Sequence, residues 1–298
     1  MHAMAECLDD RKARTFPERS RTRRMRALTL VADRKVELAE TDAPPPPGPG
    51  EVQIRVGAVA LNHLDLWGFR GMAFAKRKMP LVVGAEAAGE IAAVGPDVVG
   101  FTSGERVVMY GAQTCGVCKA CREGRDNLCE DTRSIMGFHS DGFAREYVNM
   151  PARLVIKVPR GVSIRDAACA PIAFSTVQHM LFDNAKLEPG ETILVQAGGS
   201  GIGTVAIMMA KAIGCTVITT VGDDAKAEKV RAIGADHIIN YRKDRFESVV
   251  RKITAKKGVD VAFEHTGAET FNGSLLSLKR GGRLVTCGAT SGPTVTST

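Results

Sequence analysis

The sequence predicts an α/β protein in two parts: a β-rich first domain of barrel type, then a second domain built on a doubly wound parallel sheet. Three observations lead there. Short apolar or alternating runs, punctuated by glycine and proline, fill the chain to about residue 160. From about residue 190, strand-like and helix-like segments alternate, the pattern of a parallel sheet with crossover helices. A glycine-rich turn, "GGSGIG", joins the first of those strands to the first of those helices.

At 298 residues, with 44% hydrophobic and 24% charged side chains, the chain has the make-up of a globular protein large enough for two domains. The net charge of +7 is uneven, because residues 1–24 hold seven Lys/Arg against four acids and carry +3 of it. No basic stripe with interleaved aromatics follows, so nucleic acid is not an expected partner. Every apolar run is broken well before the ~20 residues that span a bilayer, and the N-terminus lacks the apolar core of a secretory signal. No membrane is therefore expected as a partner, and a cytoplasmic location is the default.

Residues 1–24 read as a disordered basic extension. "MRALTLVA" from Met25 is an alternating strand, and "APPPPGPGEV" (43–52) is a stiff turn that leads into "VQIRVGAVAL". "LVVGAEAAGEIAAVG", "GERVVMY", "AREYVNM" and "RLVIKVP" continue the β pattern to residue 160, with a cysteine lobe at 113–131 inserted among them. The second domain, 161–298, opens with one or two helices broken near Pro171. Strands at "TILVQA", "TVITTV", "HIINY", "VDVAFEHTG" and "RLVTCG" then alternate with helices near 201–213, 224–233, 246–255 and 268–279.

Half of the eight cysteines, Cys115, Cys118, Cys121 and Cys129, fall in fifteen residues with the spacing C-x2-C-x2-C-x7-C. In a reducing compartment such clustering marks a metal site rather than disulfides. Four thiolates close a tetrahedral zinc and leave no position for water or substrate, so the expected ion is structural.

The turn after "TILVQA" carries Gly198, Gly199, Ser200, Gly201, Ile202 and Gly203 at a helix start. Glycines there let a pyrophosphate approach the backbone at the positive end of the helix, so a dinucleotide is the expected cofactor. At the end of the second strand, Gly222 precedes Asp223 and Asp224, while Lys226, Tyr241 and Arg242 lie close by. A small residue with neighbouring cations and a hydroxyl suits the 2′-phosphate of NADPH. NADH remains open if Asp223 turns inward to the ribose. Gly267 and Gly288, after the fourth and fifth strands, complete the expected cofactor contacts on that domain.

These features in this order ("VVGAEAAGEIAAVG", "GERVV", the cysteine lobe, "FAREYV", the glycine turn, "IGADHIINY", "GGRLVTCGATSG") resemble the medium-chain dehydrogenase/reductase superfamily over residues 25–298. The resemblance implies a GroES-like barrel, a Rossmann domain and a tendency to homo-oligomerise. It also implies a further strand and a return segment beyond the present end, and cofactor contacts at His63 and Thr176. Alcohol dehydrogenases of this superfamily hold a catalytic zinc through cysteine, histidine and cysteine. In this chain the corresponding positions are Asn62, Ala85 (in Gly84-Ala85-Glu86) and Ile172 or Ala173, and the proton-relay positions are Leu64 and Trp67.

"NHLD" instead resembles the branch without catalytic zinc, which includes quinone oxidoreductases and enoyl reductases. That implies hydride transfer from NADPH to a small quinone, enone, enal or other carbonyl, with Asn62 and Asp65 at the catalytic cleft. Two bland readings stand beside it: Asn62 and Asp65 close a turn, and Glu86 is a carboxylate left from a zinc site. The competing functions are a zinc-dependent alcohol dehydrogenase and a truncated NADPH-binding module without turnover.

Overall fold

The computed structural model describes residues 23–71, 77–132 and 134–294. Residues 1–22 of the expected basic extension lie outside the described residues. β1 (Arg24–Ala32) and β2 (Lys35–Asp42) form an antiparallel hairpin. Met25 and Ala27 point inward while Arg24 and Arg26 are exposed, the two-residue period that the sequence shows. β3 (Glu51–Ala60) leads to the helix α1 (His63–Arg70). β4 (Leu81–Val82) returns to the free side of β1, β5 (Glu86–Val94) pairs with β3, and β6 (Arg106–Met109) pairs with β5. The cysteine lobe carries the short helix α2 (Lys119–Arg122). β7 (Tyr147–Pro151) and β8 (Val155–Lys157) complete an antiparallel sheet in the order β7-β3-β5-β6-β8.

Residues 144–146 join the two sheets. Leu28 N–H donates to the Ala144 carbonyl and Glu146 N–H to that of Arg26, and the chain then runs on into β7. This continuity gives the barrel-type arrangement, with Val52, Ile54, Ile91, Met109, Phe143 and Met150 in its core. α3 (Ile164–Ala167), capped by the Ser163 hydroxyl, packs on β3, β5 and β6. The chain breaks at Pro171, as expected from the missing N–H of proline. α4 (Ala173–Gln178) then packs on the second domain, and His179–Asn184 extends it as a wide π turn.

The second sheet is built by β9 (Thr192–Val195), α5 (Gly201–Ala212), β10 (Thr216–Val221), α6 (Asp224–Ala232), β11 (His237–Asn240), α7 (Phe246–Ile253), β12 (Val259–Glu264), α8 (Phe271–Ser277) and β13 (Leu278–Thr286). Its strands are all parallel, in the order β11-β10-β9-β12-β13. Ile193, Leu194 and Val195 are wholly buried in the central strand, which is why β9 reads as a continuous apolar run. The order reverses between β9 and β12, and a crevice for a ligand opens at the carboxyl ends of the strands at such a point.

The last helix is shorter than expected. Its start is delayed to Phe271 because residues 266–270 form a turn bonded to Glu264, and Leu278 already pairs with Val259. No helix among the described residues is long and apolar enough to cross a membrane.

α5 contributes Ile207, fully buried among Val195, Val205, Val217 and Phe263, to the larger core. Ile207→Ala is expected to remove about 2–5 kcal/mol of stability, read from urea denaturation. A loss below 1 kcal/mol would contradict this packing.

Candidate functional site

β9 ends in a tight turn with Ala197 at φ +46°, and α5 starts three residues after Gly198. A Cβ on Gly198 would stand 2.2 Å from Thr219 Oγ1, and one on Gly203 would stand 2.4 Å from the Ala197 carbonyl oxygen. Those two glycines are required for close packing of helix on strand. Gly201 is different: nothing lies within 4 Å of its Cβ position, so its face of the turn is open. Ser200 caps the helix, its Oγ accepting the Gly203 N–H at 3.0 Å. The N–H groups of the first helical turn have no intrahelical acceptor, so this open face fits an anionic pyrophosphate.

Two other segments close on the turn. His265, just after β12, places Nε2 2.8 Å from the Gln196 carbonyl and 3.4 Å from Ser200 Oγ. Burial holds its pKa below the usual imidazole value, and the charge of His63 on α1 acts in the same direction. His63 itself is exposed, edge-on to Trp67 with ring centroids 5.5 Å apart. Gly267, at φ +95°, would meet the Gly292 carbonyl oxygen at 2.6 Å with any side chain, and a Cβ on Gly288 would stand 3.1 Å from the His265 carbonyl oxygen. Thr176 lies half-buried on α4, where that helix packs on α5.

The expected corner at the end of β10 is assembled. A Cβ on Gly199 would lie 3.2 Å from Lys226 Cδ, and one on Gly222 would lie 2.6 Å from Tyr241 Oη. Asp223 caps α6, its carboxylate accepting the Lys226 N–H at 2.8 Å, with Lys226 Nζ 3.6 Å away. Asp224 is held by Asn240 Nδ2 at 3.1 Å and Lys243 Nζ at 2.9 Å. Both acids are thus engaged by their own neighbours. A cavity of ≈ 470 Å³ has Thr220, Tyr241, Arg242, Lys243, Phe246 and Thr266 in its wall.

The first domain contributes a clamp around a buried carboxylate. Glu86, 2% exposed at the start of β5, accepts Asn62 Nδ2–H at 2.7 Å and the Ile172 N–H at 2.6 Å. Asp65 Oδ2 accepts the Asn62 N–H at 2.7 Å, so Asn62 is held through both backbone and side chain. Asp65 Oδ1 is buried with no hydrogen-bond partner. Burial raises the pKa of both carboxyls, and the charge of Asp65 adds to the rise at Glu86. Cys169 is exposed and falls within the field of Glu86. Asn62, Asp65, Glu86 and Ile172, spread over 110 positions of sequence, therefore form one cluster between the domains.

The four cysteines converge as their spacing predicts. Their sulfurs all lie within 4.8 Å of one another, and those of Cys115 and Cys121 are 3.9 Å apart. A tetrahedral zinc with Zn–S bonds of about 2.3 Å separates its sulfurs by about 3.8 Å, so the donor set fits. Backbone N–H groups of Cys115, Val117, Cys118 and Cys121 point at the sulfurs at 3.3–3.5 Å. Such bonds hold Cys118 below the usual thiol value and Cys129 at about 6, while burial pushes Cys121 up to about 12. Arg153 ties the lobe to the barrel through the Thr114 hydroxyl and carbonyl.

Sequence reasoning missed a set of buried polar side chains behind the turn: Gln196, Thr220, Glu264 and Ser274, each at most 1% exposed. The available signal was a polar residue closing each apolar strand, in "LVQA" and "VAFEH".

Gly198→Ala is expected to destabilise the chain by about 1–3 kcal/mol through overpacking. Gly201→Ala should leave thermal stability unchanged and weaken dinucleotide binding several-fold. Equal affinities for the Gly201 variant and the wild type would contradict the placement of the open face. The raised pKa of Glu86 gives a second expectation. A carboxyl whose folded value exceeds its unfolded value of about 4.3 contributes stability that is complete at low pH and lost as pH rises through the folded value. Glu86→Gln cannot ionise, so its urea midpoint relative to wild type should rise between pH 4 and pH 8. A gap that does not change with pH would contradict the raised value.

Comparison with known proteins agrees with this geometry. Residues 48–160 match the alcohol dehydrogenase GroES-like domain and residues 201–298 match the zinc-binding dehydrogenase domain. The chain is 35% identical to sorbitol dehydrogenase of Bacillus subtilis, over 90% of this chain and 76% of that one. It is also 35% identical to acryloyl-coenzyme A reductase of Metallosphaera sedula, over 82% of this chain and 70% of that one. Among solved structures, an NAD-dependent alcohol dehydrogenase superposes with a TM-score of 0.83 at 40% identity, covering 87% of this chain and 76% of that one. A barrel, a nicotinamide-nucleotide domain and this degree of identity converge on one assignment: the chain belongs to the zinc-type, alcohol dehydrogenase-like group of the medium-chain dehydrogenase/reductase superfamily and is an NAD(P)H-linked oxidoreductase.

Proposed function

We propose that the chain is an NADPH-dependent reductase that transfers hydride to a small activated acceptor, a quinone, enone or enal, without a catalytic zinc. The observation that carries this reading is the clamp at Glu86. An open zinc site needs three protein ligands and a free position. The positions that resemblance assigns to such ligands are Asn62, Ala85 and Ile172 or Ala173; none is a cysteine or histidine, and the Asn62 side chain hydrogen-bonds to Glu86. A zinc-bound histidine typically gives its second ring N–H to a carboxylate. Asp65 is a carboxyl beside Ala85, and no histidine stands at that position to meet it. Among the described residues, the four-cysteine lobe is the one His/Cys/Asp/Glu group able to hold a metal, and its four thiolates leave no open position. Similarity to acryloyl-coenzyme A reductase supports the acceptor class, whereas similarity to sorbitol dehydrogenase favours the alternative of alcohol oxidation.

When bound, the reduced nicotinamide supplies the hydride. The chain's own residues bind, orient and stabilise charge. The open face at Gly201 receives the pyrophosphate at the α5 N-terminus. His265 and Ser200 fix the turn from behind. Asn62 has a second amide N–H beyond the one given to Glu86, and that N–H is available to an oxyanion forming on the acceptor. With Asp223 capping α6 and paired to Lys226, and Asp224 held by Asn240 and Lys243, the corner presents Tyr241 and Arg242 with Lys226 beside them, a hydroxyl and cations that suit a 2′-phosphate and favour NADPH over NADH. The cysteine lobe, with one zinc, acts as a clip, and its thiolates suit a reducing, cytoplasmic setting.

The test is steady-state oxidation of NADPH and of NADH against a panel of quinones, enones and enals. The expected result is turnover with a kcat/KM for NADPH at least about tenfold that for NADH. Turnover only with secondary alcohols and oxidised cofactor would contradict the proposal. A strong chelator should make residues 113–131 sensitive to protease while NADPH affinity stays within about twofold. Loss of affinity in step with zinc would contradict the role of a clip.

A further inference from the structure

Behind the cofactor turn, five groups form a hydrogen-bonded chain that runs in one direction. The Ala197 N–H, within the turn, donates to Thr220 Oγ1 at 2.9 Å. Thr220 in turn donates its hydroxyl hydrogen to Gln196 Oε1 at 2.7 Å. That sets the Gln196 amide, whose Nε2–H₂ faces Ser274 Oγ at 2.9 Å. Ser274 in turn donates to Glu264 Oε2 at 2.8 Å. Glu264 ends the chain and also accepts the Thr266 N–H at 2.6 Å, the Gly267 N–H at 3.1 Å and the Thr270 hydroxyl at 2.9 Å. Gln196, Glu264 and Ser274 have no exposed surface and Thr220 has 1%.

Along this path each side chain accepts from the group before it and donates to the one after it. The path starts at an obligate backbone donor and ends on Glu264, whose two oxygens both face donors. It links the carboxyl ends of β9, β10 and β12, and through them the turn at Ala197 to the turn at Thr266–Gly267. A buried polar network is rigid when every member is satisfied and unfavourable when one is not.

We propose that Glu264 is a positioning residue for the dinucleotide. Through Ser274, Gln196 and Thr220 it sets the cofactor turn, and directly it sets the Thr266–Gly267 turn, so that both halves of the cofactor meet prearranged backbone. The proposal rests on the reading of Ala197–Gly203 as the dinucleotide site. It makes the direction of the hydrogen bonds, rather than the presence of one charge, the property that matters.

Direction can be reversed. In Glu264→Gln the new amide can offer its oxygen to the Thr266 and Gly267 N–H groups or to the Ser274 hydroxyl, but not to both, so one donor loses its acceptor. Adding Gln196→Glu turns the chain around. The new carboxylate at position 196 accepts from both Thr220 and Ser274, Ser274 accepts from the amide at position 264, and that amide's oxygen serves the Thr266–Gly267 turn. Both charge and composition are kept.

The experiment measures NADPH and NADH affinity by fluorescence titration of the full chain, with thermal unfolding on the same samples. Glu264→Gln is expected to weaken binding of the preferred dinucleotide about tenfold or more at a temperature where the variant is folded. The double variant should recover to within about threefold of wild type. Thr220→Val breaks the path in the middle while keeping side-chain shape. It should weaken binding comparably, which keeps the proposal testable if Glu264→Gln fails to fold. Wild-type affinity in a folded Glu264→Gln or Thr220→Val variant would overturn the proposal. So would a double variant that is folded but binds no better than Glu264→Gln, since restoring the direction of the bonds should restore affinity. A wild-type chain that binds neither dinucleotide would overturn the reading of the site itself, and this proposal with it.

Discussion

A carboxylate with 2% exposure cannot be left without donors, and Glu86 meets that constraint by drawing together two distant segments. One donor is the Asn62 side chain at the start of α1, and the other is the Ile172 backbone at the start of the second domain. The arrangement of the cleft follows from those two bonds. They fix the Asn62 amide and tie the start of α1 to the segment that enters the second domain. A neutral amide and a backbone N–H satisfy Glu86, and no histidine or cysteine stands at Asn62, Ala85, Ile172 or Ala173.

The second domain meets a different constraint, that of bringing backbone N–H groups to a polyanion. Gly198 and Gly203 permit close packing, Gly201 leaves the approach open, and Ser200 caps the helix. Behind these, polar side chains at the ends of three strands are satisfied only by one another. The site is thus stiff on its buried side and open on its exposed side, which suits a cofactor that must be oriented before hydride moves.

Much of this was legible in the sequence, for physical reasons that can be named. The convergence of the four cysteines was, because they sit within fifteen residues and the lobe is local, and all four sulfurs lie within 4.8 Å. The glycine turn and the alternation of strand and helix were, because both are local. The departures at Asn62 and Ala85 could be read against the resemblance, and their meaning could not. The Ile172 N–H reaches Glu86 across 86 residues, and no spacing rule encodes that contact. Gln196 and Glu264 passed unnoticed because a polar residue closing a strand looks like the start of a loop. Their burial exists only once the sheet is assembled. The last helix was drawn too long for the same reason, since the turn at Thr266–Thr270 is held by Glu264.

The central claim is that this chain kept a closed metal clip and lost the open catalytic metal. The most direct measurement is the metal content of purified, active protein, taken together with that of a variant in which Cys115 and Cys129 are both changed to serine. The account predicts one zinc per chain in the wild type, none in the variant, and NADPH oxidation that persists in whatever fraction of the variant remains folded. Two metals per chain in the wild type, with activity following the second as it is removed, would contradict it.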